Sequence, residues 1–152
     1  MKKSWIKYLI YIILIFTLLC IDAYVTRQQV IDRATTFQFS YLYFLTTMVI
    51  RICIGFSLGL EYINKEMKKE GKWEVNFPKV ILLATPSLYF SIAILLFNTF
   101  HNEFLQKILY KPAWYFMNLG YDFTFIFQIL LGYFLITSFC KQYFETRQPL
   151  KN

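Results

Sequence analysis

Between Phe39 and Leu60 the chain reads FSYLYFLTTMVIRICIGFSLGL, an apolar segment about long enough to cross a bilayer as a helix, with one charge, Arg51, near its middle. On insertion scales a central arginine costs roughly 2.5 to 3.5 kcal/mol, so Arg51 is expected to face other protein or a wet cavity rather than lipid. Any fold built from this chain must therefore supply a polar interior at that level.

Three more blocks have the length of a spanning helix: Ile6 to Val25, Val80 to Phe100 and Leu119 to Cys140. With 57% hydrophobic and only 16% charged residues, the 152-residue chain is too apolar for an ordinary soluble domain. The connections are too short to fold separately, so the expectation is one integral membrane domain, residues 1–152. Its fold class is all-α, with four transmembrane helices in an antiparallel bundle. Lys2 and Lys3 ahead of an apolar run ending in Leu18-Leu19-Cys20 resemble a signal peptide. The run is longer than a signal core and lacks small residues at a cleavage position, so a retained first span is expected.

The net charge of +7 follows from topology and needs no nucleic-acid partner. Lys2, Lys3 and Lys7 precede the first span, Lys65, Lys68, Lys69, Lys72 and Lys79 lie between the second and third, and Lys141, Arg147 and Lys151 follow the fourth. Only Arg27, Arg33, Lys107 and Lys111 fall in the other two connections. By the positive-inside rule both termini and the second connection are cytoplasmic, and the protein is a multi-pass protein of the cell membrane.

Taken in order, the first span is nearly featureless until Asp22, Tyr24 and Arg27, which read as its outer interface, and the polar run TRQQVIDRATT reads as a short loop. In the second span Thr47, Arg51, Gly55 and Gly59 recur every four residues and share one helical face. Gly55 and Gly59 form a GxxxG pair suited to close helix packing, within the chain in preference to a dimer. Gly71 stops the cytoplasmic extension of this helix. Pro86 inside the third span removes a donor and crowds the carbonyl of Leu82, predicting a kink there. Ser87 and Ser91 lie on one face of that helix, and Thr124, Gln128 and Gly132 on one face of the fourth. These stripes are expected to converge. From about Asn102 to Tyr110 apolar and polar residues segregate at helical period, predicting a short helix flat on the outer interface.

The candidate ligand- or partner-binding site is thus Arg51, Ser87, Ser91 and Gln128, with Gly55, Gly59 and Gly132 as packing positions. No Asp or Glu stands at the expected depth of Arg51, so neutral acceptors, including the carbonyl crowded by Pro86, are expected to satisfy it. Cys20, Cys53 and Cys140 are isolated, and His101 with Glu103, Asp22 or Asp122 reads as an interfacial polar cap, so no catalytic residue, metal or cofactor is assigned. No phosphate-binding glycine loop, HExxH or GxSxG occurs. Three function classes follow, in this order: a non-catalytic subunit or accessory protein that docks on a larger membrane complex; a minimal transporter or channel with a pathway lined by Arg51, Ser87, Ser91 and Gln128; and an enzyme at the outer face around His101. The expected partners are the lipid bilayer and either another membrane protein, which favours the first class, or a second copy alone, which favours the second.

Overall fold

A computed structural model describes residues 2–99 and 123–142 together with Lys111, Ala113 and Tyr115. It is mostly helical: α1 (Lys2–Thr36), α2 (Tyr41–Met67), α3 (Phe77–Thr99) and α4 (Phe123–Thr137), with two short strands, β1 (Lys72–Val75) and β2 (Phe139–Gln142). Segments of α1, α2 and α3 are long and apolar enough to cross a membrane, and α4 is a shorter apolar helix of 15 residues. The predicted interfacial helix at 102–110 lies outside the described residues.

Helix α1 contains neither Gly nor Pro in its 35 residues and does not stop at Val25. The run first read as a loop is its last three turns, which end at Phe37 in the left-handed region (φ 55°), with the Phe37 amide bonded to the Arg33 carbonyl at 3.0 Å. Glycine is the usual residue for such a helix cap, so the phenylalanine carries backbone strain of about 1–2 kcal/mol. Helix α2 begins two residues after Phe39 and ends at Met67, and Gly71, at φ 138°, turns the chain into β1.

Helix α3 starts on an Asn76 cap, whose side-chain oxygen accepts from the Lys79 amide at 3.1 Å, with Pro78 in the first turn where its missing N–H costs nothing. Ahead of Pro86, residues Val80–Ala84 form a π-helical turn, and both the Thr85 amide and its hydroxyl reach the Val80 carbonyl. Widening the turn by one residue is how this helix accommodates the proline.

Helix α2 lies between α1 and α4, and α3 packs on α4, giving the spatial order α1–α2–α4–α3. The closest approach joins α2 to α4: a Cβ built on Gly55 would stand 2.0 Å from the Ile129 carbonyl oxygen, and one on Gly132 would stand 2.2 Å from that of Ile52. A Cβ on Gly59 would instead meet the side-chain methyl of Ile136 at 2.1 Å. The glycines thus bring two backbones into contact within one chain.

The all-α expectation needs one correction. Strand β1 pairs antiparallel with β2, Lys72 opposite Gln142 and Val75 opposite Phe139, so the fourth span gives way to extended backbone before Cys140. The Glu66 carboxylate, buried at the end of α2, accepts the Lys141 amide at 3.1 Å and pairs with Lys69. Lys79 Nζ donates to the Thr137 carbonyl at 3.0 Å, and the Asn76 amide to that of Ser138 at 2.9 Å.

The distribution of polarity is inverted relative to a water-soluble protein. Asp22, Thr47, Arg51, Ser57, Glu66, Ser87, Ser91, Thr124, Gln128, Thr137 and Ser138 are buried, whereas Ile6, Leu9, Ile12, Phe16, Leu42, Val49, Ile81 and Leu82 are all more than half exposed. Hydroxyls of Thr47, Ser57, Ser87, Ser91, Thr137 and Ser138 donate to carbonyls three or four residues back on their own helices.

Candidate functional site

Arg51 is buried at the α1–α2–α4 junction, and its first partner is one that sequence reading missed. Nε donates to Asp22 Oδ1 at 2.8 Å in a buried ion pair, Nη2 to Thr26 Oγ1 at 3.1 Å, and Nη1 to Gln128 Oε1 at 3.3 Å. The Phe125 ring lies 5.0 Å from the guanidinium carbon, within cation–π range. The expectation that no carboxylate reaches Arg51 is therefore wrong, and its cause is the misplaced end of α1. Asp22 stands fourteen residues before Thr36, about 21 Å down the helix at 1.5 Å per residue, and not at an interface. Asp22 and Thr26, four apart on α1, present two acceptors on one face.

From Arg51 the polar chain continues. Gln128, fully buried, donates through Nε2 to the Ser91 carbonyl at 3.3 Å. The Ser91 hydroxyl in turn donates to the Ser87 carbonyl at 2.6 Å, and the Ser87 hydroxyl to that of Leu83 at 2.8 Å. Asp22 and Thr26 on α1, Arg51 on α2, Gln128 on α4 and Ser91 on α3 thus form one continuous network through α1, α2, α4 and α3. Of the expected site, Arg51, Gln128 and Ser91 come together, Ser87 lies one bond further on, and among the described residues Arg51 has no bond to a carbonyl near Pro86.

Beside this network opens a cavity of about 760 Å³, within the size range of small-molecule sites. Arg51, Thr47 and Thr124 line it from α2 and α4, Thr26, Gln29 and Arg33 from α1, Phe37 and Phe39 from the α1–α2 connection, and Phe97 and Asn98 from α3. A wet cavity is one of the two surroundings expected for Arg51, but this wall is not foreseen, because Thr26, Gln29 and Arg33 reach it only on the continuation of α1 past Val25. Among the described residues its lining includes two arginines and no Asp or Glu. Thr124 is 3% exposed, and its Oγ1 has no hydrogen-bond partner.

The other candidates bring no chemistry together. The cysteines are free, with Cys20 exposed and Cys140 donating weakly to the Glu74 carbonyl at 3.7 Å. His101 lies outside the described residues, and Asp22, one of its expected neighbours, is engaged by Arg51. Among the described residues no three His, Cys, Asp or Glu gather as a metal would require. No protein-family model, no curated protein and no solved structure matches this chain.

Proposed function

We propose that this chain is a multi-pass protein of the cell membrane, a four-helix bundle with both termini cytoplasmic, that serves as a non-catalytic subunit or accessory protein of a larger membrane complex. The inverted polarity supports the membrane reading: apart from the Thr124 hydroxyl, small and polar side chains inside bond one another or nearby backbone carbonyls, and the exposed surface is the aliphatic one that hydrocarbon accepts without cost. The antiparallel pairing of β1 with β2 puts the lysine-rich connection between α2 and α3 at the same end as the segment after α4, in keeping with the charge count.

The observation that carries the accessory reading is the buried ion pair at Arg51. Its charge is met by Asp22 of the same chain, so the residue best placed to attract an ion in a pathway is spent on joining helices. Native mass spectrometry after gentle solubilisation tests this. A stoichiometric second protein bound to the 18.3 kDa chain is the expected result, whereas finding only the chain and its multiples would overturn the reading. A minimal transporter or channel is the second reading, favoured by the cavity beside Arg51. It predicts solute flux in proteoliposomes that Arg51→Leu abolishes.

A further inference from the structure

We infer that the cavity beside Arg51 is a binding site for a phosphate-bearing anion, and that the anion sits between Arg33 and the Thr124 hydroxyl.

Three observations lead there. First, the cavity carries uncompensated positive charge. Arg51 is neutralised by Asp22, but among the described residues the exposed Arg33 has no ion pair or hydrogen bond to its guanidinium, only the Phe39 ring 5.4 Å away, and none of the described lining residues is a carboxylate. Second, it is rich in donors. A guanidinium offers five N–H groups, of which Arg51 uses three, leaving two; the Gln29 and Gln38 amides and the Arg33 fork add more. That supply exceeds what the two oxygens of a carboxylate take up and suits the additional acceptors of a phosphate, which arginine binds in bidentate fashion.

Third, the Thr124 hydroxyl is buried and unpartnered on the cavity wall. Leaving such a group unsatisfied is costly, whereas an acceptor in the cavity would complete it. The aromatic rings of Phe37, Phe39 and Phe97 on the same lining suit the apolar part of a phosphorylated organic molecule. The phosphate could come from a phospholipid headgroup or from a free phosphoester. Only the lipid source rests on the membrane reading above.

The test uses the full chain in neutral detergent, titrated separately with short-chain phosphatidylglycerol, short-chain phosphatidylcholine and glycerol phosphate, with binding read by calorimetry. Three variants are compared with the native chain: Arg33→Gln, Thr124→Val, and Lys68→Gln, an exposed lysine away from the cavity lining. At least one of the two anionic probes should bind more tightly than phosphatidylcholine, and Arg33→Gln should weaken it about tenfold or more. Thr124→Val should weaken it severalfold while the empty protein becomes no less stable, since the lost hydroxyl had no partner. Lys68→Gln should leave it unchanged. Tight binding of phosphatidylglycerol alone identifies a lipid headgroup, and tight binding of glycerol phosphate identifies a soluble ligand. The proposal is overturned if neither anion binds more tightly than phosphatidylcholine, or if both cavity variants bind as the native chain does. The partner search by native mass spectrometry is independent of these outcomes.

Discussion

Replacing Asp22 with Asn keeps the shape of the side chain and an acceptor for Arg51 Nε but removes the charge that neutralises it. At the observed 2.8 Å, opposite unit charges in a medium of effective dielectric near 20 attract by about 6 kcal/mol, part of which the surviving amide hydrogen bond retains. The expected loss in unfolding free energy is about 3–5 kcal/mol, the usual cost of stranding one half of a buried pair. Unfolded helices in a micelle also find polar partners, which places the result toward the lower end of that range. Arg51→Met strands Asp22 and should cost a similar amount. The double variant Asp22→Leu with Arg51→Met strands neither and should return to within about 2 kcal/mol of the native chain. Unfolding in mixed micelles of increasing dodecyl sulfate content, followed by circular dichroism, gives all four values. A loss below about 1 kcal/mol for Asp22→Asn, or a double variant as unstable as the sum of the two singles, would refute the argument that this pair is the electrostatic centre of the fold.

Gly55→Ala and Gly132→Ala each force a Cβ against a carbonyl oxygen of the facing helix and should destabilise by about 2–3 kcal/mol, whereas Gly59→Ala meets only a side-chain methyl and should cost less. Equal effects in the same micelle titration would contradict the backbone contact. Glu66→Ala removes the acceptor of the Lys141 amide and one partner of Lys69, and should speed hydrogen exchange across β1 and β2 by about 5- to 30-fold; unchanged exchange would mean the strands hold without it. For topology, an impermeant thiol reagent outside intact cells should label a cysteine placed at Gln38 and spare one at Lys68, and the reverse pattern would invert the protein in the membrane.

Most of the fold was legible because length, hydropathy and charge placement act locally. The apolar blocks became helices, the four-residue stripe of Thr47, Arg51, Gly55 and Gly59 marked the packed face of α2, and Gln128 met Arg51. What was lost depended on where an element ends. Polar residues after Val25 looked like a loop, yet nothing in TRQQVIDRATT breaks a helix, and moving that boundary by eleven residues carried Asp22 from an interface to the interior. The cavity was lost with it, since Gln29 and Arg33 line it only as parts of a helix. The β1–β2 pair was hidden for a different reason. Its strands are four residues each, their partners are about seventy positions apart, and Cys140 belonged to an apolar run that continued a helix pattern.

The pairing of β1 with β2, with Glu66, Lys79 and Asn76 bonded across the same end, ties together the end of α2, the start of α3 and the segment after α4. The cavity lies toward the opposite ends of these helices, where the Tyr41 hydroxyl donates to the Asn98 carbonyl at 3.3 Å and the α1–α2 connection closes one wall. The two ends of the bundle are therefore fastened by separate sets of bonds, so a partner seated on the strand pair and a ligand in the cavity would meet the protein at two distinct places.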